Sequence, residues 1–238
     1  MLWTVTRQVN TLMFLKYLKS LFVLNEMDDY ILELPNFVSP ELCKKIVNIY
    51  KNPTDEKIQP SFPIYRINGK DHETARFSNV VSMASRPKYK DVLEPTTDIF
   101  KDIFVKYMDK LQTDFEDLNK EFTKGLHPYT TELKTKKHVQ IWNACTLHEI
   151  EKGQFYSWHH DYEWNDPGAF IQVIIYLNTL EEGEGGCTEF LNGRKVRPEI
   201  GKVLVYPRSW TYLHKGGEVT GDNSKYICTA NIRLKLLE

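Results

Sequence analysis

No two of the four cysteines form a CxxC pair: Cys43, Cys145, Cys187 and Cys228 are scattered through 238 residues. That scarcity excludes a zinc-finger framework and a dense disulfide scaffold, and it points to a reducing, cytoplasmic compartment. Charge of one sign is missing too. The formal net charge of -1 gives no electrostatic reason to expect nucleic acid as a partner. Long apolar runs are also absent. The segment "LMFLKYLKSLFVL" is interrupted by Lys16 and Lys19 and falls short of the ~18–20 apolar residues of a membrane span; no small-residue cleavage site follows it. Residues 1–27 therefore read as an amphipathic helical extension, without stable membrane insertion. No internal repeat or low-complexity tract appears.

Aromatic residues are plentiful, at 13%, enough to build a core and line a pocket. The length suits one domain over residues 1–238. Within it, residues 28–136 read as a helical support and loop region. In "YILELPNFVSPELCKKIVNIY", a strand leads to a helix capped by Ser39, with Pro40 at the first helical position and Leu42, Ile46, Ile49 and Tyr50 on one face. Asn52 to Lys70 reads as a long, proline-rich surface loop. A long amphipathic helix follows from Lys90 to Phe122, with a break expected at Pro95.

After residue 137 the texture changes. "HVQIWNACTLHEI", "FIQVIIYLN", "GKVLVYP" and "YICTANIRLKL" are short β-branched and aromatic runs between glycine-rich turns. The Asn-Gly of "FLNGRKV" predicts a two-residue hairpin turn. Residues 137–238 thus predict about eight antiparallel strands in a jelly roll, with helices supporting one sheet, an α+β or mainly β class.

The candidate chemistry lies in "FYSWHHDYEW", residues 155–164. Strand side chains alternate, so His159 and Asp161 share a face and His160 takes the other. A third ligand must come from elsewhere: His214, His148, His138, His127 and His72 are available, and His214 stands out by following a hydrophobic strand in the last hairpin. Two histidines and a carboxylate that leave positions open on an octahedral metal suit a non-haem Fe(II) oxygenase. Alone, a His-x-Asp pair is a weak signal.

Taken with "VIIYLN", "EGGCTEF", "IGKVLVYPRSWTYLH" and "KYICTANI", the order of features resembles the 2-oxoglutarate- and Fe(II)-dependent dioxygenases, in their prolyl 4-hydroxylase-like branch. The resemblance runs from about Tyr30 to Leu236. It implies a double-stranded β-helix, with Fe(II), 2-oxoglutarate as co-substrate and ascorbate as an optional reductant. It further implies His159, Asp161 and His214 as iron ligands, Lys225 as the partner of the distal carboxylate of 2-oxoglutarate, and Tyr176 as a hydrogen-bond donor to it. Arg233 shares the parity of Lys225 but lies about 26 Å further along an extended strand. The implied reaction is hydroxylation of an unactivated C–H, with a peptidyl proline first among substrates and a small molecule second, and release of succinate and CO2. A metal-binding jelly roll without turnover is the non-enzymatic alternative. The loops at 52–80 and 162–168 are expected to form the substrate groove, with Trp158, Tyr162 and Trp164 at its rim. Trp142, Trp210, Cys187 and Cys228 are expected in the core, Gly185 and Gly186 at a bend, and Arg208 in a solvated turn.

Overall fold

The computed structural model describes residues 30–52, 64–67, 70–73, 78–118, 139–162 and 168–234. The expectations for residues 1–27, for most of the loop at 52–80, and for Trp164, His127 and His138 lie outside them. So do the side chains of His72 and Trp142. The chain runs β1 (Leu32–Leu34), α1 (Pro40–Lys51), β2 (Ile64–Ile67), β3 (Lys70–Glu73), β4 (Asn79–Ser82) and α2 (Lys90–Leu118). Then come β5 (Val139–Ile150), β6 (Tyr156–His159), β7 (Ala169–Tyr176), β8 (Thr188–Phe190), β9 (Lys195–Val196), β10 (Val203–Pro207), β11 (His214–Gly216) and β12 (Lys225–Leu234). The last eight strands are those expected from the sequence.

They fold into two antiparallel sheets: a six-stranded one ordered β1-β10-β7-β12-β5-β4 and a four-stranded one ordered β6-β11-β8-β9. This is the double-stranded β-helix, with β1 and β4 closing the edges of the larger sheet. Period-2 alternation assigns each face its work. On β12, Tyr226, Cys228, Ala230 and Ile232 join α1 and α2 in the main core, while Lys225, Ile227, Thr229 and Asn231 turn toward the smaller sheet. A second, smaller core of Ile174, Tyr176, Phe190, Val196, Leu204 and Tyr206 fills one end of the space between the sheets. The other end stays open.

Helix α1 starts as its sequence dictates, the Leu42 amide donating to Ser39 Oγ at 3.2 Å. Helix α2 is one helix through Pro95, against the expected break. Proline removes the hydrogen bond to the carbonyl of Asp91, and both residues face solvent, where water supplies the donor. Val92, Thr96, Phe100, Ile103, Phe104 and Tyr107 bury the opposite stripe. The loop expected from Asn52 to Lys70 is partly strand: β2 and β3 pair as a hairpin, Ile64 opposite Glu73. The Asn-Gly turn also differs. Phe190 N donates to Arg194 O, so Leu191, Asn192 and Gly193 form a three-residue loop, with Gly193 at φ +91° as its left-handed residue. Trp210 is 68% exposed rather than in the core, and Cys187 is half-buried, whereas Cys228 is fully buried.

Glu149 ties the sheet to its support. On the helix-facing side of β5, it accepts from the hydroxyls of Tyr226 (2.6 Å) and Tyr50 (2.7 Å) and from Asn79 Nδ2 (3.0 Å). One 7%-exposed carboxylate thus joins β12, α1 and β4. Glu149→Ala would leave the buried Tyr226 hydroxyl without an acceptor, at about 1–3 kcal/mol, and two half-buried donors at less. It is expected to cost about 3 kcal/mol in all, read as a lower urea midpoint at unchanged slope.

Candidate active site

Antiparallel pairing of β6 with β11 sets His214 directly across from His159, and the extended chain after His159 brings Asp161 back to the same side. One donor atom from each residue lies within 4.8 Å of the others. His159 Nε2 is 3.6 Å from Asp161 Oδ1, and His214 Nε2 is 3.4 Å from Asp161 Oδ2. Each ring is fixed by its other nitrogen. His159 Nδ1 donates to Ser157 O at 2.7 Å and His214 Nδ1 to Tyr212 O at 3.0 Å. These bonds select the tautomer whose Nε2 carries a lone pair toward Asp161. Tyr156 stacks on the His159 ring at 3.5 Å between centroids. His160 is exposed and borders the same cavity, against the parity expectation, but it is not one of the three clustered donors.

Tyr206 completes the cluster, and sequence reasoning missed it because "KVLVYP" reads as a plain core strand. Its hydroxyl lies 2.8 Å from Asp161 Oδ2 and 2.9 Å from His214 Nε2. Burial, then the Asp161 charge, push this phenol well above its usual range, so it keeps its proton and donates it to Asp161. At Asp161 burial opposes ionisation. The two imidazoles, the Tyr206 hydrogen bond and Arg208 outweigh it and hold the carboxyl below the usual carboxylate range. One phenolic proton cannot satisfy both a carboxylate oxygen and an imidazole lone pair. A divalent cation held by the two Nε2 atoms and Asp161 would satisfy these groups together. The donor set fits Fe(II).

The triad opens onto a cavity of about 380 Å³ between the sheets, small for a ligand site. Lys225, at the start of β12, is 4% exposed and lines one end of it. Its Nζ donates to Gly186 O at 2.7 Å and sits 5.6 Å from the Tyr176 ring centroid. The Gly185–Gly186 bend makes that carbonyl available. Both residues have positive φ, +73° and +70°, and a Cβ on Gly185 would fall 2.1 Å from Glu218 O. Burial lowers the Lys225 pKa to about 8. Affinity for an anion at this end should therefore be flat below pH 8 and fall about tenfold per unit as pH rises above it. Calorimetric titration with 2-oxoglutarate from pH 6.5 to 9.5 measures this.

Tyr176 does not reach the cavity wall; it is fully buried and its hydroxyl bonds Thr188 Oγ1 at 2.8 Å. Thr188 itself lines the cavity. His148 lines the wall too, its Nε2 3.0 Å from Thr229 Oγ1, away from the triad. Arg233 is half-buried beside Gly168 and is not among the residues lining the cavity. Arg208 corrects the solvated-turn expectation: it is 4% exposed and lines the cavity, because the inward face of β10 continues past Pro207, with Arg208 N donating to Phe170 O at 2.8 Å.

Residues 145–233 match the model of the 2OG-Fe(II) oxygenase superfamily. The match covers the segment that carries the triad and Lys225, and in that segment the chain is similar to Fe(II)- and 2-oxoglutarate-dependent oxygenases. No curated protein matches the sequence. Among solved structures, the chain is similar to a Pseudomonas putida prolyl-4-hydroxylase, with 13% identity and a TM-score of 0.57 over 90% of this chain and 100% of that one. It is also similar to a prolyl hydroxylase from Trichoplax adhaerens in complex with a hypoxia inducible factor oxygen degradation domain peptide fragment (12%, TM-score 0.58, 89% and 87%). A third is the viral collagen prolyl hydroxylase of Paramecium Bursaria Chlorella virus-1 (17%, TM-score 0.50, 87% and 97%). At these identities the likeness is one of fold. Among the described residues no helix is long and apolar enough to cross a membrane.

Proposed function

We propose that this chain is an Fe(II)- and 2-oxoglutarate-dependent dioxygenase that hydroxylates an unactivated C–H of a prolyl residue, presented by a peptide, protein or smaller compound. One oxygen atom of O2 enters the substrate and the other enters succinate as 2-oxoglutarate loses CO2. The observation that carries the reading is the convergence of both Nε2 atoms and Asp161 in a cavity whose far end holds the Lys225 ammonium. Prolyl chemistry is supported by the three prolyl hydroxylases of the same fold, one of them in complex with a peptide fragment.

When bound, Fe(II) with the keto-acid supplies the O2 activation and the hydrogen abstraction. His159, Asp161 and His214 would hold the metal, leaving three positions open. Lys225 would pair with the distal carboxylate of 2-oxoglutarate, with the Thr188 hydroxyl beside it; an unpaired carboxylate in so buried a place would be costly. Tyr206 holds the Asp161 carboxylate in one orientation through its 2.8 Å hydrogen bond. Ile174 and Ile227 give the wall between Lys225 and the triad an apolar surface that excludes water.

The test is O2-dependent succinate release with Fe(II) and 2-oxoglutarate, together with ¹⁸O2 labelling of prolyl peptides and free L-proline. One labelled oxygen in a prolyl product is expected. Succinate release with no labelled product from any prolyl compound would remove the prolyl part of the reading and leave the dioxygenase.

A further inference from the structure

Row by row, the larger sheet carries a residue from its edge to the Lys225 end of the cavity. Asn79 pairs with Glu149, and Glu149 with Tyr226. One row further on, Ile150 pairs with Lys225, and Ser78, the residue before β4, continues that row beyond Ile150. The Asn79 and Tyr226 side chains both reach Glu149 on the helix-facing side. Alternation turns Ser78, Ile150 and Lys225 the other way, and all three line the cavity. Neighbouring strands lie about 4.8 Å apart, so the Ser78 and Lys225 backbones stand about 10 Å apart with Ile150 between them.

Both ends of this row are short of partners. Ser78 is 3% exposed, and its Oγ has no hydrogen-bond partner among the described residues. Lys225 is equally buried; its ammonium gives one donor to Gly186 O and makes no ion pair among the described residues. A buried hydroxyl without a partner and a buried ammonium without a counter-charge are each costly. A single carboxylate above Ile150 relieves both, accepting from the ammonium on one side and from the hydroxyl on the other. The neighbouring polar groups on this wall already have protein partners. The Thr188 hydroxyl meets that of Tyr176 at 2.8 Å, and His148 Nε2 lies 3.0 Å from Thr229 Oγ1. A keto-acid with an apolar tail would leave Ser78 and Lys225 as they are.

We propose that Ser78 is a specificity-determining residue for the co-substrate, its hydroxyl donating to the distal carboxylate of 2-oxoglutarate from the side opposite Lys225. The inference rests on the dioxygenase reading above and adds to it a residue outside the matched segment 145–233. It also gives substitution a signature that a supporting role lacks. Ser78→Ala removes a buried hydroxyl that has no partner until the keto-acid binds. The unliganded protein should therefore be at least as stable as the wild type, while its affinity for 2-oxoglutarate falls. A residue that merely held β4 in place would lose both together.

The test uses the whole protein, loaded anaerobically with Fe(II) and titrated with 2-oxoglutarate. Calorimetry and the visible Fe(II)–keto-acid band are read together. 2-Oxovalerate, which has a methyl group where 2-oxoglutarate has its distal carboxylate, is the control. Expected in Ser78→Ala is binding of 2-oxoglutarate about 10-fold or more weaker, the loss of one hydrogen bond to a charged group, with 2-oxovalerate unaffected. Ser78→Thr, which keeps the hydroxyl, should recover part of the affinity. The Tm of unliganded Ser78→Ala should equal or exceed that of the wild type, and its Mn(II)-induced rise should stay, since Ser78 is not one of the three clustered donors. Wild-type affinity in Ser78→Ala, equal losses for the two acids, or a lowered Tm accompanying the loss would overturn the proposal. A band that responds to Lys225→Ala but not to Ser78→Ala would remove Ser78 and leave the dioxygenase reading. Absence of any band would overturn both.

Discussion

Alanine at His159, Asp161 or His214 is expected to abolish succinate formation, by more than about 10³-fold, while the fold survives. The three side chains belong to no core cluster; they face one another and the cavity, so truncation removes donors and no packing layer. Losing one of three ligands leaves the metal too weakly held to do chemistry that no side chain here can replace. His160→Ala is the internal control: exposed and outside the donor triad, it should keep most of the activity. Mn(II), an inert stand-in, supplies a readout without turnover. Binding to the native state alone should raise Tm in the wild type and in His160→Ala, but not in the three ligand variants.

The second large effect is at Lys225. Lys225→Ala should weaken 2-oxoglutarate by roughly 30- to several-thousand-fold, about 2–5 kcal/mol, because a buried carboxylate is left without its counter-charge. The Mn(II)-induced rise in Tm should persist, since Lys225 sits at the opposite end of the cavity wall from Tyr206 and the triad. Arg233→Ala, at a residue outside the cavity wall, should leave the affinity unchanged. A Lys225→Ala enzyme with wild-type affinity would move the co-substrate to the Arg208 end.

Most of the β-helix was legible because its strands carry the two signals that local physics imposes: alternation and glycine-rich turns. Ser39 and Pro40 announced α1 for the same reason. The hairpin of β2 and β3 was not legible: "KDHE" has no apolar alternation, and that pair is held by backbone hydrogen bonds. The break expected at Pro95 failed because a proline near a helix start, on the solvent side, leaves only one exposed carbonyl unserved.

In the site, period 2 suggested His159 and Asp161 on one face, and His214 stood out by its place after a hydrophobic strand; the pairing of β11 with β6 is what sets it opposite His159. Tyr206 was hidden in a hydrophobic strand, where its ring does pack against Phe190 at 5.2 Å and only the hydroxyl has chemistry. Arg208, between Pro207 and Ser209, has the local look of a turn. Its burial follows from the continuation of β10 beside Phe170, a long-range fact. Tyr176 matched a motif, yet its hydroxyl is held by Thr188.

In the proposed function, one cavity would hold Fe(II) at His159, Asp161 and His214 and 2-oxoglutarate between that metal and Lys225. Anaerobic titration of the Fe(II)-loaded protein with 2-oxoglutarate tests it most directly. Expected is a weak visible charge-transfer band that saturates at one equivalent, is lost in His214→Ala, and needs far more keto-acid in Lys225→Ala. A protein that binds Fe(II) but develops no band, or whose band is indifferent to both substitutions, would contradict it.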